Sequence, residues 1–296
     1  MKKNTKKIVT AAGIAAGTAA VASLSAYVTI KALIDTALDR EMPKVMEKAD
    51  KRISGEKSSD EFTNRMESAS ESLAVQPNET VEIIAHDGEK LVGHYFPCEK
   101  PERVIIAFHG WRSSWHRDFG MISDFWYKNN CSVLYVEQRG QNNSSGEYMG
   151  FGLTERFDCL DWLNWEIERC GSDIPVYLAG VSMGATTVLM AAGLQLPPNV
   201  HGIMADCGFT SANAIWEHIA KDNLHIRFGI RSAIADRMCR RKIQVGSKEH
   251  STVEALKHTH VPVILVHGAD DHFVPVEMTY ENYTACTAPK DLLIGP

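Results

Sequence analysis

The chain has 296 residues, of which 44% are hydrophobic, and a formal net charge of −6 at pH 7. That length buries one large α/β core and is short for a second catalytic domain, and the mild acidity excludes the clustered basic excess of a nucleic-acid binder. Seven cysteines carry no C-x-x-C pair and no Cys/His ligand spacing, which argues against a zinc site and against a dense disulfide framework, and their odd number leaves one thiol or more unpaired within the chain.

Lys2, Lys3, Lys6 and Lys7 precede a stretch without charge from Ile8 to Ile30, about the length a helix needs to cross hydrocarbon. Residues 1–34 are therefore expected to be a signal anchor, with the small-residue triplet Ala20-Val21-Ala22 offering a cleaved signal peptide, and a secreted protein, as the alternative. An Ala-rich core helix is a third reading. Lysines at the start of an anchor hold the N-terminus in the cytoplasm, which predicts a single-pass protein of the cell membrane with its catalytic domain outside. Residues 35–78 are charged and Ser-rich and read as a stalk, with Phe62, Met66, Ala69 and Leu73 at the spacing of a weakly amphipathic helix.

A globular domain is expected over 79–296. Thr80 to Ala85 and Leu91 to Phe96 flank His86-Asp87-Gly88-Glu89, a turn signal between two β-rich runs that predicts a hairpin. Arg103 to Phe108 and Cys131 to Val136 read as strands covered on both faces. The first ends in His109-Gly110-Trp111, the second in a polar loop from Glu137 to Gly146. A helix is expected over 154–169, with Leu160, Leu163 and Ile167 on its inner stripe. Beyond the run starting at Val176, two more buried strands, His201 to Asp206 and Val261 to His267, alternate with helical patterns, which argues for a mainly parallel sheet wrapped on both sides.

Val176 to Val181 is a short apolar run that breaks into Gly180-Val181-Ser182-Met183-Gly184 and continues as a small, apolar, helix-compatible stretch. A serine that attacks a carbonyl must stand clear of its backbone, and a sharp strand-to-helix bend achieves this when Gly180 and Gly184 carry no Cβ. The same bend aims the first N–H groups of the helix at a developing oxyanion. Ser182 is the nucleophile candidate, and a plain helix cap is its competing role.

With these residues the chain resembles an α/β-hydrolase from about Val81 to its last residue. His109-Gly110 resembles the family's His-Gly oxyanion motif, Arg139-Gly140 its Arg-Gly-x-Gly-x-Ser turn with Asn142 in place of the second glycine, Gly180 to Gly184 its nucleophile elbow, and His267 to Pro275 the segment that supplies the acid. The resemblance is to small bacterial serine hydrolases grouped with esterases and peptidase-like members. It implies that the N–H groups of Met183 and Trp111 hold the oxyanion, that His109 is structural, and that Asp271, three residues before Val274-Pro275, orients the base. Asp270 and Asp206 are the competing acids.

The family order is Ser, acid, His, with the histidine after the last strand. That strand is expected at Asp291 to Ile294, and the sequence as written continues only to Gly295-Pro296. The expectation is that this chain is truncated and nearly inactive, since removing one triad member leaves roughly 10³–10⁴-fold catalysis over water. Two other readings stay open: His218 or His225 of the helical lid expected at about 210–251 substitutes, or the chain is a non-catalytic binder. The lid carries Ile215, Trp216, Ile219, Leu224 and Phe228 beside the basic cluster Arg237, Arg240, Arg241 and Lys242, for which packing and a solvated face are the default roles. The function expected is cleavage of a small-molecule carboxylic ester or amide through an acyl-enzyme, without cofactor or metal and without nucleic acid, with a peptidase-like hydrolase as the alternative.

Overall fold

In a pleated strand successive side chains face opposite sides, and Arg103–Phe108 sorts accordingly: Val104, Ile106 and Phe108 enter one apolar cluster, Ile105 and Ala107 another. Such a strand belongs inside a layered sheet. The computed structural model, which describes residues 25–42, 61–229 and 231–296, shows it there. Eight strands, β1 (Glu79–Ile84), β2 (Lys90–Phe96), β3 (Arg103–Phe108), β4 (Cys131–Glu137), β5 (Val176–Val181), β6 (Val200–Asp206), β7 (Val263–Gly268) and β8 (Lys290–Gly295), form one sheet in the order β1-β2-β4-β3-β5-β6-β7-β8. The pairs β1–β2 and β2–β4 are antiparallel and the other five are parallel. The predicted hairpin is present, with Gly88 at φ +93°, a conformation that side chains other than glycine's adopt only under strain. β7 starts two residues later than expected because Pro262 has no N–H for the ladder.

Among the described residues the helices are α1 (25–38), α2 (Glu61–Ala74), α3 (Trp115–Lys128), α4 (Glu155–Cys170), α5 (Met183–Ala191), α6 (Ala212–His218), α7 (Arg231–Ile243), α8 (Thr252–Leu256) and α9 (Val276–Ala285). α4 and α5 cover one face of the sheet, where Cys159, Trp162, Leu163, Val188 and Leu189 pack on Ile106, Leu134 and Leu178. α3 covers the other through Trp115, Phe119 and Trp126 against Ile105, Val133 and Tyr135. The inner stripe of α4 differs from the expected one: Cys159, Trp162, Leu163 and Glu166 are buried, whereas Leu160 and Ile167 are half-buried. The two-sided cover expected of the later strands is also incomplete. Ile264 is 37% and Leu293 58% exposed, so along β7 and β8 one face is open among the described residues.

Two segments expected to precede the domain pack against it. Ile30, Ile34 and Leu38 of α1 are fully buried, in one cluster with Met149, Phe151, Trp216 and Phe228, so the expected boundary at residue 34 cuts through a packed helix. No helix among the described residues is long and apolar enough to cross a membrane; residues 1–24, which hold most of the expected anchor and its cleavage triplet, lie outside the described residues. α2 crosses α3 so closely that a Cβ on Gly120 would lie 2.7 Å from the backbone of Ala69. Of its predicted stripe Leu73 is buried, while Phe62 is 61% exposed.

The expected lid folds as α6, a π-helical turn (Ile219–Asn223) and α7, with Ile215, Trp216 and Phe228 buried. Its basic cluster is not simply a solvated face. Arg240 pairs with Asp236 and Glu249, and Lys242 Nζ lies 3.1 Å from Asp35 Oδ1 of α1 and also bonds Asp39. All seven cysteines are free thiols.

The bend at β5–α5 sets one prediction about stability. A Cβ on Gly184 would come within 1.8 Å of the Phe108 carbonyl oxygen, and one on Gly180 within 2.3 Å of Gly184 backbone, with no flexible side chain able to yield. Gly184→Ala is expected to lower stability by at least about 3 kcal/mol in urea unfolding. Gly268→Ala, with open space around the new methyl group, is expected to stay within about 0.5 kcal/mol of wild type.

Candidate active site

Ser182 occupies the corner between β5 and α5 at φ 53° and ψ −112°, a conformation costly for any residue other than glycine. The corner is pinned on both sides: Ser182 N–H donates to the Asp206 carbonyl at 2.8 Å, and Thr186 N–H donates to the Ser182 carbonyl at 3.0 Å. The hydroxyl caps nothing. Ser211 and Ser251, by contrast, accept from Ala214 N–H and Glu254 N–H at 3.1 Å in ordinary capping bonds. A strained serine whose hydroxyl is not used by its own helix lacks the capping role that competed with nucleophile.

The loop after β3 lies against this corner. A Cβ built on Gly110 would stand 3.5 Å from Ser182 Cβ. Gly110 N–H donates to Asp118 Oδ2 at 2.6 Å, Ser113 Oγ donates to Asp118 Oδ1 at 2.6 Å, and Arg112 N–H donates to Gln141 Oε1 at 2.6 Å. Between these held positions the Trp111 N–H donates to no acceptor among the described residues. Met183 N–H, at the first position of α5, has no partner within its helix. Two backbone donors are therefore available beside Ser182. Asp118 and Gln141, which fix one of them, carry no motif; they become visible only once α3 and the loop after β4 are folded onto the Gly110 turn.

His109 is buried. Its Nδ1 bonds the Gly110 carbonyl at 2.7 Å, and its Nε2 accepts from Gln138 N–H at 3.2 Å and faces Asn142 Nδ2 at 3.2 Å. Both ring nitrogens are thus engaged, tying the loop after β3 to the loop after β4, and burial pushes the imidazole below its ordinary value. Asn142, at φ 49°, also donates to the Ser113 carbonyl at 3.0 Å, a tie between two loops. Arg139 bonds Asp158 through two nitrogens and Asp87 through Nη1 at 2.6 Å. The one metal-like grouping among the described residues, His86, Asp158 and Asp161, shares that Asp158, whose carboxylate the guanidinium already satisfies.

Asp271 lies in the loop after β7, with Oδ1 accepting from Phe273 N–H at 2.8 Å and Val274 N–H at 2.9 Å. Burial works against its charge, but His267 and these two amides outweigh it and hold the carboxyl below its ordinary value. Asp270 is exposed. At Asp206, loss of hydration pushes the carboxyl up, and Asp271 and Asp118 add to the rise despite His267. A fixed, ionised carboxylate thus stands at Asp271 and a charge-disfavoured one at Asp206. Burial also pushes the Cys207 thiol up, which keeps it protonated.

Among the described residues no hydrogen bond engages Ser182 Oγ. Of the lid histidines, His218 faces the acid loop: its Nε2 is 3.3 Å from the His272 carbonyl, its Nδ1 is 3.0 Å from Asp222, and it lines a cavity with Asp271 and Pro275. His225 is exposed at φ 56°. Ser182 itself opens into a second cavity of about 200 Å³, walled by Trp111, Phe151, Phe209, Trp216 and Leu224.

No family model matches the chain. It is 24% identical over 207 residues to the uncharacterized protein YqkD of Bacillus subtilis (strain 168), an alignment covering 68% of this chain and 66% of YqkD, so the chain spans slightly less than two thirds of that relative's length. Among solved structures it is similar to the esterase Pf2001 of Pyrococcus furiosus, with a TM-score of 0.59 and 20% identity over 76% of this chain and 84% of that one. It is also similar to the α/β hydrolase GrgF from Penicillium sp. sh18, with a TM-score of 0.56 and 16% identity over 75% and 91%. The fold is the α/β-hydrolase fold.

The acid loop predicts a pH signature. Burial opposes the charged form of His267, but Asp271 and the Val274 carbonyl outweigh it and raise its value. Stability from a raised histidine is fully present below its unfolded value of about 6.5 and is lost as pH rises through the folded one; that from the lowered Asp271 is present above about 3.9 and is lost on acidification. The pair is therefore expected to stabilise most between about pH 4 and 6.5. Melting temperatures should fall from pH 6 to pH 8.5 in wild type, and the fall should shrink in Asp271→Asn.

Proposed function

We propose that the chain is a serine hydrolase that cleaves a carboxylic ester through an acyl-enzyme. Ser182 Oγ attacks the carbonyl carbon and its proton passes to a base. The carbonyl oxygen takes up the charge between the N–H groups of Trp111 and Met183, each such donor contributing on the order of 3 kcal/mol. Collapse breaks the bond to the alkoxy group, which leaves with the proton from the base, and water releases the acid by the reverse route. Asp271 orients the base and stabilises its charged form. The observation that carries this reading is the uncapped Ser182 hydroxyl, held at positive φ beside two amides without acceptors and opening into an apolar cavity.

The family order places the base on a loop following β8. Gly295, at the end of that strand, accepts from Ala269 N–H at 2.9 Å, so chain continuing from β8 emerges beside the loop of Asp271. His218 is the second reading for the base, favoured over His225 by its position against the acid loop. An ester is preferred to a peptide because the cavity at Ser182 is lined by no charged side chain among the described residues, leaving nothing to hold a peptide terminus.

A fluorophosphonate probe is expected to label the protein at Ser182 and to fail on Ser182→Ala. Asp271→Asn should lower kcat/KM for ester hydrolysis on the order of 10³–10⁴-fold, with Asp270→Asn close to wild type; retained turnover in Asp271→Asn would move the acid to Asp206. A loss in His218→Ala as complete as in Ser182→Ala would make the lid histidine the base. Absence of labelling in wild type, including a form carrying the loop after β8, would favour a binding protein.

A further inference from the structure

The helix that composition assigns to an anchor and stalk lies beside Ser182. Leu33, Thr36 and Ala37 of α1, and Met42 just beyond it, line the same cavity as the candidate nucleophile. Nothing in the elbow, the oxyanion motif or the acid segment points to this neighbour, because it lies about 140 positions earlier in the chain.

The attachment is specific as well as apolar. The last carbonyls of a helix have no partners within it, and here the oxyanion loop supplies them. Trp111 Nε1 donates to the Ala37 carbonyl at 3.0 Å; Arg112 donates to the carbonyls of Thr36 at 3.0 Å, Asp39 at 2.5 Å and Arg40 at 2.9 Å. A guanidinium at a helix C-terminus also meets the negative end of the helix dipole. From the other side, Arg40 donates to the carbonyls of Ser144 and Asn142 at 2.6 Å each, Met149 N–H donates to the Leu38 carbonyl at 2.7 Å, and Lys242 of the lid pairs with Asp35 and Asp39. The segment is thus tied to the loop after β3, to the loop after β4 and to the lid, of which the first and the last line the cavity through Trp111 and through Ile215, Trp216 and Leu224.

Resting on the reading of Ser182 as the nucleophile, we infer that residues 25–42 form the specificity wall of an acyl pocket, and that the substrate is an ester of a medium-length, uncharged aliphatic acid whose chain lies against Leu33 and Ala37. No charged side chain lines the cavity among the described residues, and the polar ones, Thr36, Asn223 and Ser182, are few. Its volume of about 200 Å³ exceeds the ~150 Å³ that accommodates benzene, which scales to an acyl chain of roughly eight carbons. Short acyl groups leave the wall unused, and much longer ones run past the space that Leu33 and Ala37 bound.

The test reads binding apart from turnover. Quenching of tryptophan fluorescence, with Trp111 and Trp216 in the cavity, is followed during titration of the full chain with butyrate, octanoate and palmitate, the carboxylates standing for the acid product. Octanoate is expected to bind at least tenfold more tightly than either of the others. Leu33→Trp, which fills the wall side, should weaken octanoate tenfold or more and leave butyrate unchanged; Leu33→Ala, which cannot overpack, should move the optimum toward decanoate. The same preference in both variants as in wild type overturns the wall, and if Leu33→Trp does not fold, an unmoved optimum in Leu33→Ala does so alone. Absent fluorophosphonate labelling of Ser182 with a shifting chain-length profile would sink the hydrolase reading and keep the pocket; labelling with an unmoved profile would do the reverse.

Discussion

The site depends on how closely α5 approaches β3. With hydrogen in place of Cβ at Gly184, the helix backbone passes over the Phe108 carbonyl, and with hydrogen at Gly180 the strand can turn under Gly184. This contact aims the N-terminus of α5 at the ends of β3 and β5 and leaves Ser182 at the top of a bend too tight for relaxed backbone angles. Strain of this kind persists only when surrounding structure over-determines it. Here α5 is buried along all nine of its residues, and Ser182 is bonded through both its N–H and its carbonyl. The same approach brings Gly110 against Ser182, and with it the amide of Trp111 toward that of Met183.

Around that corner, polar groups are engaged where a scaffold is needed and unengaged where chemistry is proposed. His109 is saturated by Gly110, Gln138 and Asn142; Gln138 also bonds the His109 carbonyl and Thr187 of α5. Asp118 and Gln141 hold the loop on either side of Trp111. Buried networks of this sort fix one arrangement because each missing partner would leave a costly unsatisfied group. Asp271 obeys the same logic: two amides set its orientation through Oδ1, and its Oδ2 faces His267 at 3.5 Å.

Local signals were readable where one residue type alone satisfies a steric demand. Gly88 in the hairpin, Gly180 and Gly184 at the elbow, and the β-branched run of β3 each announced the element in which they are found, and alternation with helices announced a mainly parallel sheet, though not its strand order. Faces were harder. Along α4, Glu166 lies inward while Ile167 is half-buried, because its packing partners come from distant strands that composition does not reveal. The second-layer residues Asp118, Gln141 and Arg112 left no pattern either, since their roles exist only between loops joined by folding. The packing of α1 was not legible: the uncharged, Ala-rich stretch that ends at Ile30 suits a membrane and a protein interior equally well, and only within 25–38 do Ile30, Ile34 and Leu38 lie in one cluster with Trp216 and Phe151.

The bonds that fasten α1 span great distances along the chain: 104 residues from Arg40 to Ser144 and 203 from Lys242 to Asp39. During synthesis this helix leaves the ribosome ahead of the sheet, at about 5–20 residues per second, and its lid partner on α7 follows about two hundred residues later. For that interval it has no surface to cover it. A nascent chain that stops short of α7 leaves Asp35 and Asp39 without Lys242, and the buried side of α1 without the lid residues that α7 adds to its cluster.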